Sequence, residues 1–124
     1  MSKITGFILL LIILSYSCKR SNVTPVKTTT TNLCFQTDVL PIYQSHCALS
    51  GCHDAATARQ GVILDSYAHI MVGIVPNKPD SSHYYTIAAS GSMPPAGSGK
   101  PTMTQGQADT IATWINQGAA NCTR

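Results

Sequence analysis

Cys47-Ala48-Leu49-Ser50-Gly51-Cys52-His53 gathers two thiols and an imidazole into one short stretch. Such a set suits three kinds of chemistry. Two cysteines can add to the two vinyl groups on one edge of a haem, while a histidine directly after the second reaches the iron from one face. That is the logic of the C-x-x-C-H attachment motif. Four residues separate the cysteines here rather than two; the extra pair can loop out, and Gly51 supplies the backbone freedom such a loop needs. Alternatively, Cys47 and Cys52 form a local disulfide with His53 an exposed neighbour. As a third reading they are two ligands of a zinc site, for which this spacing is acceptable. Adjacent Cys52 and His53 rarely ligate one tetrahedral metal, and no second tightly spaced ligand pair is present.

An iron that transfers electrons needs a sixth ligand. Of the four methionines, Met1 belongs to the leader, Met71 reads as core and Met103 precedes the last helix. Met93 differs, because it lies in Gly91-Ser92-Met93-Pro94-Pro95-Ala96-Gly97. Pro94 biases Met93 toward extended backbone and Pro95 fixes another φ, so a stiff segment between glycines can lie across a ring face. The bland alternative is a surface turn. His46 reads as a cap or a solvent-facing residue. His69 and His83 fall on amphipathic helices, and either one as distal ligand would give a bis-histidine iron.

The elements that must position these residues are helical. A helix capped by Thr37 is expected to run through Val39, Leu40, Ile42 and Tyr43 toward Cys47, with Pro41 in its first turn. A short helix is expected within 63–72, and a third starting at Asp80 or Ser81. The last is the clearest. Thr104 with Gln107 forms a capping-box pattern, Ala108, Ile111, Ala112 and Ile115 repeat at helical spacing, and Gly118 stands where a helix ends. No window alternates strictly, so the class is all-α. Large apolar residues are few, so a buried porphyrin is expected to supply the centre of the core.

Composition narrows the function. The 124 residues carry a net charge of +3 with 10% charged residues, too few and too scattered for a nucleic-acid binder. The five acids are all Asp. Little charge with 9 Gly, 7 Pro and 5 Cys points to an exported, cross-linked or cofactor-filled domain. Lys3 precedes an apolar run from Phe7 to Leu14, too short to span a bilayer and suited to a secretory signal. Leu14-Ser15-Tyr16-Ser17-Cys18 then resembles the lipobox of bacterial lipoproteins. This divides the chain into a signal peptide at 1–17, an acylated tether at 18–33 with a reach of roughly 20 Å, and a domain at 34–124. The protein is then lipid-anchored in the cell envelope, facing the periplasm.

Phe35, Asp38-Val39-Leu40-Pro41-Ile42, Cys47, Gly51-Cys52-His53, Met93-Pro94-Pro95 and Trp114-Ile115-Asn116-Gln117-Gly118-Ala119 occur in one order. This ordered set resembles the planctomycete-type c-type cytochrome domain, in the small lipoprotein form typical of Bacteroidetes. The resemblance implies one covalent haem c with thioethers at Cys47 and Cys52, proximal ligation by His53 and distal ligation by Met93. It implies a cytochrome-c-like helical fold with first and last helices packed together. If they pack so, Cys34 and Cys122 come close enough to bridge. The function implied is single-electron transfer by a monomeric carrier between redox protein partners, with no bond chemistry of its own. Lys78, Lys100 and Arg59 could steer an acidic partner or simply be solvated. The alternatives are a five-coordinate haem peroxidase or gas sensor, and a haem-free lipoprotein stapled by disulfides.

Overall fold

The computed structural model describes residues 32–122; the signal segment, Cys18 and the tether before Asn32 lie outside the described residues. Four α-helices and no strand occur among these residues: α1 (Leu40–His46), α2 (Tyr67–Met71), α3 (His83–Ala89) and α4 (Gln105–Asn116). None is long and apolar enough to cross a membrane.

A π-helical turn, Phe35–Val39, runs directly into α1. Helical backbone therefore begins before Thr37, the expected cap. The Asp38 carboxylate takes the Cys34 N–H at 2.6 Å, satisfying a donor that Thr37 would have left open. Starting early also buries Phe35 and Val39 completely, and each such side chain is worth ~1.5–3 kcal/mol. Pro41 stands in the first turn of α1 as expected.

In α4 the Thr104 hydroxyl accepts the Gln107 N–H (3.3 Å), and the Gln107 side chain accepts the Thr104 N–H (2.8 Å). Its far end closes with Gly118 N–H on the Ile115 carbonyl and Ala119 N–H on the Trp114 carbonyl, both 3.0 Å. These are the paired bonds of a Schellman cap, with Gly118 at φ +95°. Ile111, Trp114 and Ile115 face inward and are fully buried.

Phe35, Tyr67 and Trp114 form one aromatic cluster, with ring centroids 5.0 Å (Phe35–Tyr67) and 5.4 Å (Phe35–Trp114) apart. The Trp114 indole N–H donates to the Ala120 carbonyl (3.0 Å) and the Tyr67 hydroxyl to that of Ala119 (2.9 Å). The apolar residues thus close on one another, and the core has an aromatic centre made of protein alone.

The two ends of the described chain are latched beside this cluster. Cys34 and Cys122 form a disulfide, Gln36 N–H donates to the Cys122 carbonyl at 3.3 Å, and Leu33 N–H to the Gln117 side chain at 2.8 Å. With a sequence separation of 88 between the cysteines, the chain-entropy model gives ~4–5 kcal/mol, and measured values often fall below it. Replacing both with Ser should lower unfolding stability by about 2–4 kcal/mol in a urea titration. An unchanged midpoint would mean that the hydrogen bonds alone hold the ends.

Candidate functional site

α1 delivers the first thiol. Its last turn ends when the N–H groups of Cys47 and Ala48 both donate to the Tyr43 carbonyl, at 2.8 and 2.9 Å. The chain then turns at Leu49–Cys52, closed by Cys52 N–H on the Leu49 carbonyl at 2.9 Å. Gly51, the third residue of that turn, has φ +82°, the left-handed backbone a type II turn demands. His53 N–H donates to the Cys47 carbonyl at 3.2 Å. This bond pinches the loop at its neck, leaving Ser50 and Gly51 outside and exposed.

A returning segment runs alongside. Arg59 N–H donates to the Cys52 carbonyl (2.9 Å) and Leu64 N–H to that of His53 (2.8 Å). The turn at the start of this segment holds Ala58 and Gln60 at φ +41° and +56°. The third wall is α3 with the Met93 loop, which is tied to the helix end by Ser92 and Met93 N–H groups on the Ile87 carbonyl (3.1 and 3.3 Å). Behind it, Ser82 is fully buried. Its hydroxyl accepts the Val75 N–H and donates to the Lys78 carbonyl, both 2.9 Å, fixing the start of α3.

These walls enclose a cavity of about 250 Å³ bordered by Cys47, Cys52, His53 and Met93 together. Val62, Leu64, Ile87 and Ala88 give it apolar sides. Cys47, Leu64 and Ala88 are also buried residues, so the edge of the core is the cavity floor. An outer space of about 530 Å³ adjoins it, sharing Cys52, Arg59, Pro94 and Pro95. The outer space falls within the range of roughly 300–1,000 Å³ usual for small-molecule and cofactor sites, and the inner one lies just below it.

His53 Nδ1 lies 3.2 Å from the Val62 carbonyl; a carbonyl only accepts, so Nδ1 carries a proton and Nε2 is the ring nitrogen left for coordination. Metal-binding histidines are commonly oriented this way. Cys47 and Cys52 are free thiols. Burial pushes the Cys47 thiol up to about 11, and the neighbouring Cys52 adds to the rise. Tyr43, next to Cys47, is fully buried with no partner for its hydroxyl, and burial holds its phenol far above the ordinary range.

The remaining histidines separate. His83 borders the cavity. His69 does not; its ring pairs with the Asp65 carboxylate at 2.6 Å on an exposed face, which lowers the Asp65 carboxyl below its usual range. His46, read from the sequence as a cap or solvent-facing, also borders the cavity, with Nδ1 on the Ile42 carbonyl at 3.0 Å. Its position at the last turn of α1, just before Cys47, was the available signal. Nothing in the sequence pointed to Tyr84, whose ring forms part of the wall because Gly73 lets it lie against the backbone.

The residues fit a covalently held haem: two unpaired thiols, an imidazole with Nε2 left for coordination and a thioether border one apolar space. Among the described residues no three His, Cys, Asp or Glu side chains converge as a metal cluster.

Three outcomes follow from the Gly73 contact and the burial of Cys47. A Cβ on Gly73 would overlap three carbons of the Tyr84 ring. Gly73→Ala should therefore cost about 1–3 kcal/mol in urea unfolding, and adding Tyr84→Ala should recover part of it if that overlap is the cause. In the thiol form, alkylation of Cys47 by iodoacetamide should accelerate about tenfold per pH unit up to about 11. The folded thiol holds its proton more tightly than the unfolded one. The thiol form should therefore lose stability as pH climbs from 9.0 through about 11, and a flat profile in pH-dependent urea titrations would contradict this. The chain matches no protein-family model, no curated protein and no solved structure.

Proposed function

We propose that this protein is a lipid-anchored monohaem c-type cytochrome that carries single electrons between membrane-associated redox partners. The observation that carries the reading is that Cys47, Cys52, His53 and Met93, drawn from two distant parts of the chain, border one apolar cavity. The pairing of cysteines supports it. Cys34 and Cys122 are joined, whereas Cys47 and Cys52 remain free on the cavity wall, which favours covalent attachment there over a local disulfide. Contact between the Phe35–Val39 turn and α4 is in keeping with a cytochrome-c-like fold.

When bound, haem supplies reversible one-electron chemistry at its iron. The chain's part is to hold and shield it. Cys47 and Cys52 would each form a thioether, the S–H adding across a vinyl group. His53 would ligate through Nε2, its ring held by the Val62 carbonyl. Met93 would supply the distal sulfur from a loop anchored on Ile87. Val62, Leu64, Ile87 and Ala88 would keep water away. Ligation by His53 and Met93 would raise the reduction potential and would leave no open position for peroxide or a gas. A second reading rests on His83, which borders the same cavity and as distal ligand would lower that potential.

The deciding measurement is a reduced-minus-oxidised visible spectrum of the full chain, co-expressed with haem-attachment machinery. Wild type should show a covalent low-spin haem, Met93→Ala a high-spin one, and His83→Ala no change. A spectrum indifferent to Met93 but altered in His83→Ala would establish the bis-histidine form. Indifference to both would bring forward a peroxidase or sensor, and absence of haem would leave a disulfide-stapled lipoprotein.

A further inference from the structure

Charge is distributed unevenly over the folded part. Between residues 32 and 122 the cations are Arg59, Lys78 and Lys100, and the acids are Asp38, Asp54, Asp65, Asp80 and Asp109. This part is therefore net negative, although the whole chain is positive. Arg59 and Lys100, both exposed, border the outer cavity beside Cys52. The one ion pair among the described residues is His69–Asp65, so neither cation is paired with a carboxylate of these residues.

The acids are elsewhere. Asp38 binds the Cys34 N–H, Asp65 pairs with His69, Asp80 lies in the Pro79–Ser81 turn and Asp109 accepts from Gln105 on α4. Asp54, the nearest in sequence, accepts the Thr57 N–H. None borders either cavity. Lys78 borders neither and follows Asn77, whose N–H donates to the Ile115 carbonyl on α4. The mouth carries two cations and no acid on a surface otherwise dominated by acids, and a local field of this kind can steer association against the net charge.

We propose that the mouth of the outer cavity, flanked by Arg59 and Lys100, is a docking surface for an acidic face of a redox partner protein. This rests on the electron-transfer reading. The small loops on its rim, Ser50–Gly51 and Ala96–Ser98, are exposed and leave the cations accessible. Attraction here sets the orientation of the encounter: the partner meets the side of the site that holds Cys52.

The test uses the reduced full chain carrying haem and two one-electron oxidants of opposite charge, ferricyanide and cobalt(III) tris-phenanthroline. In each reaction the iron(II) loses one electron, and ferricyanide becomes ferrocyanide or cobalt(III) becomes cobalt(II). At low salt, Arg59→Glu/Lys100→Glu should slow the anionic oxidant about tenfold and speed the cationic one. Both changes should shrink in salt. Lys100→Glu alone, which leaves the inner cavity intact, should show the same signs at smaller size, and Lys78→Glu should change neither rate appreciably. Damage to the site would instead slow both oxidants. As a readout separate from electron transfer, polyglutamate titrated into ¹⁵N-labelled protein should shift Gly51, Gly97 and Ser98 amides, and the double variant should abolish this. Equal rates in wild type and double variant, or an effect as large from Lys78→Glu, would overturn the proposal while leaving the haem band intact. A preparation lacking that band overturns the electron-transfer reading itself.

Discussion

Trp114 is the constraint from which the rest of the architecture follows. Its indole is fully buried, and a buried N–H must find an acceptor. It finds the Ala120 carbonyl, which forces the chain after α4 to fold back rather than run on. The same residue's carbonyl takes the Ala119 N–H of the Schellman cap, and its ring meets Phe35 and Tyr67. One side chain thus fixes the end of α4, the start of the first helical turn and α2. With the last segment turned back, Cys122 meets Cys34, and α1 leaves the core in a direction that carries Cys47 to the cavity.

The cavity exists because the backbone around it is satisfied without filling it. The neck bond from His53 to Cys47, the two bonds from the returning segment and the pair on the Ile87 carbonyl use groups that would otherwise require water. What remains facing inward is mostly side chain, and mostly apolar. The Tyr43 hydroxyl, which is not part of the cavity lining, is buried without a partner among the described residues. Such a group costs roughly 1–3 kcal/mol, against which the burial of its ring is the offsetting gain.

Where a local rule decided the structure, the sequence was readable. Thr104, Gln107 and Gly118 act through bonds to near neighbours, so both ends of α4 were visible in the letters. The start of the first helix was not, because burying Phe35 against Trp114 is a long-range effect, and tertiary burial overrode Thr37. The aromatic centre escaped notice for the same reason, since Phe35, Tyr67 and Trp114 lie far apart in sequence. The candidate site residues Cys47, Cys52, His53 and Met93 stand out by type and spacing, and the fold brings them to one cavity. His46, Tyr84 and Gly73 were not, because their part is decided by which way a helix face turns. Among the three cations, sequence treated Lys78 like the others; only the fold separates it from Arg59 and Lys100.

The four-residue spacing between the cysteines is the point at which local chemistry and geometry could have conflicted. A loop of that length holds its two ends together only if something closes it, and an open loop would leave the thiols free to diverge. The His53–Cys47 bond supplies the closure, so the added length goes into the turn at Ser50 and Gly51, on the solvent side. A residue other than glycine at φ +82° would strain that turn. Gly51 meets no neighbour that would crowd a side chain, so backbone conformation alone explains the need for glycine. The spacing is therefore absorbed outside the cavity, and the thiols border it as a pair despite the longer loop.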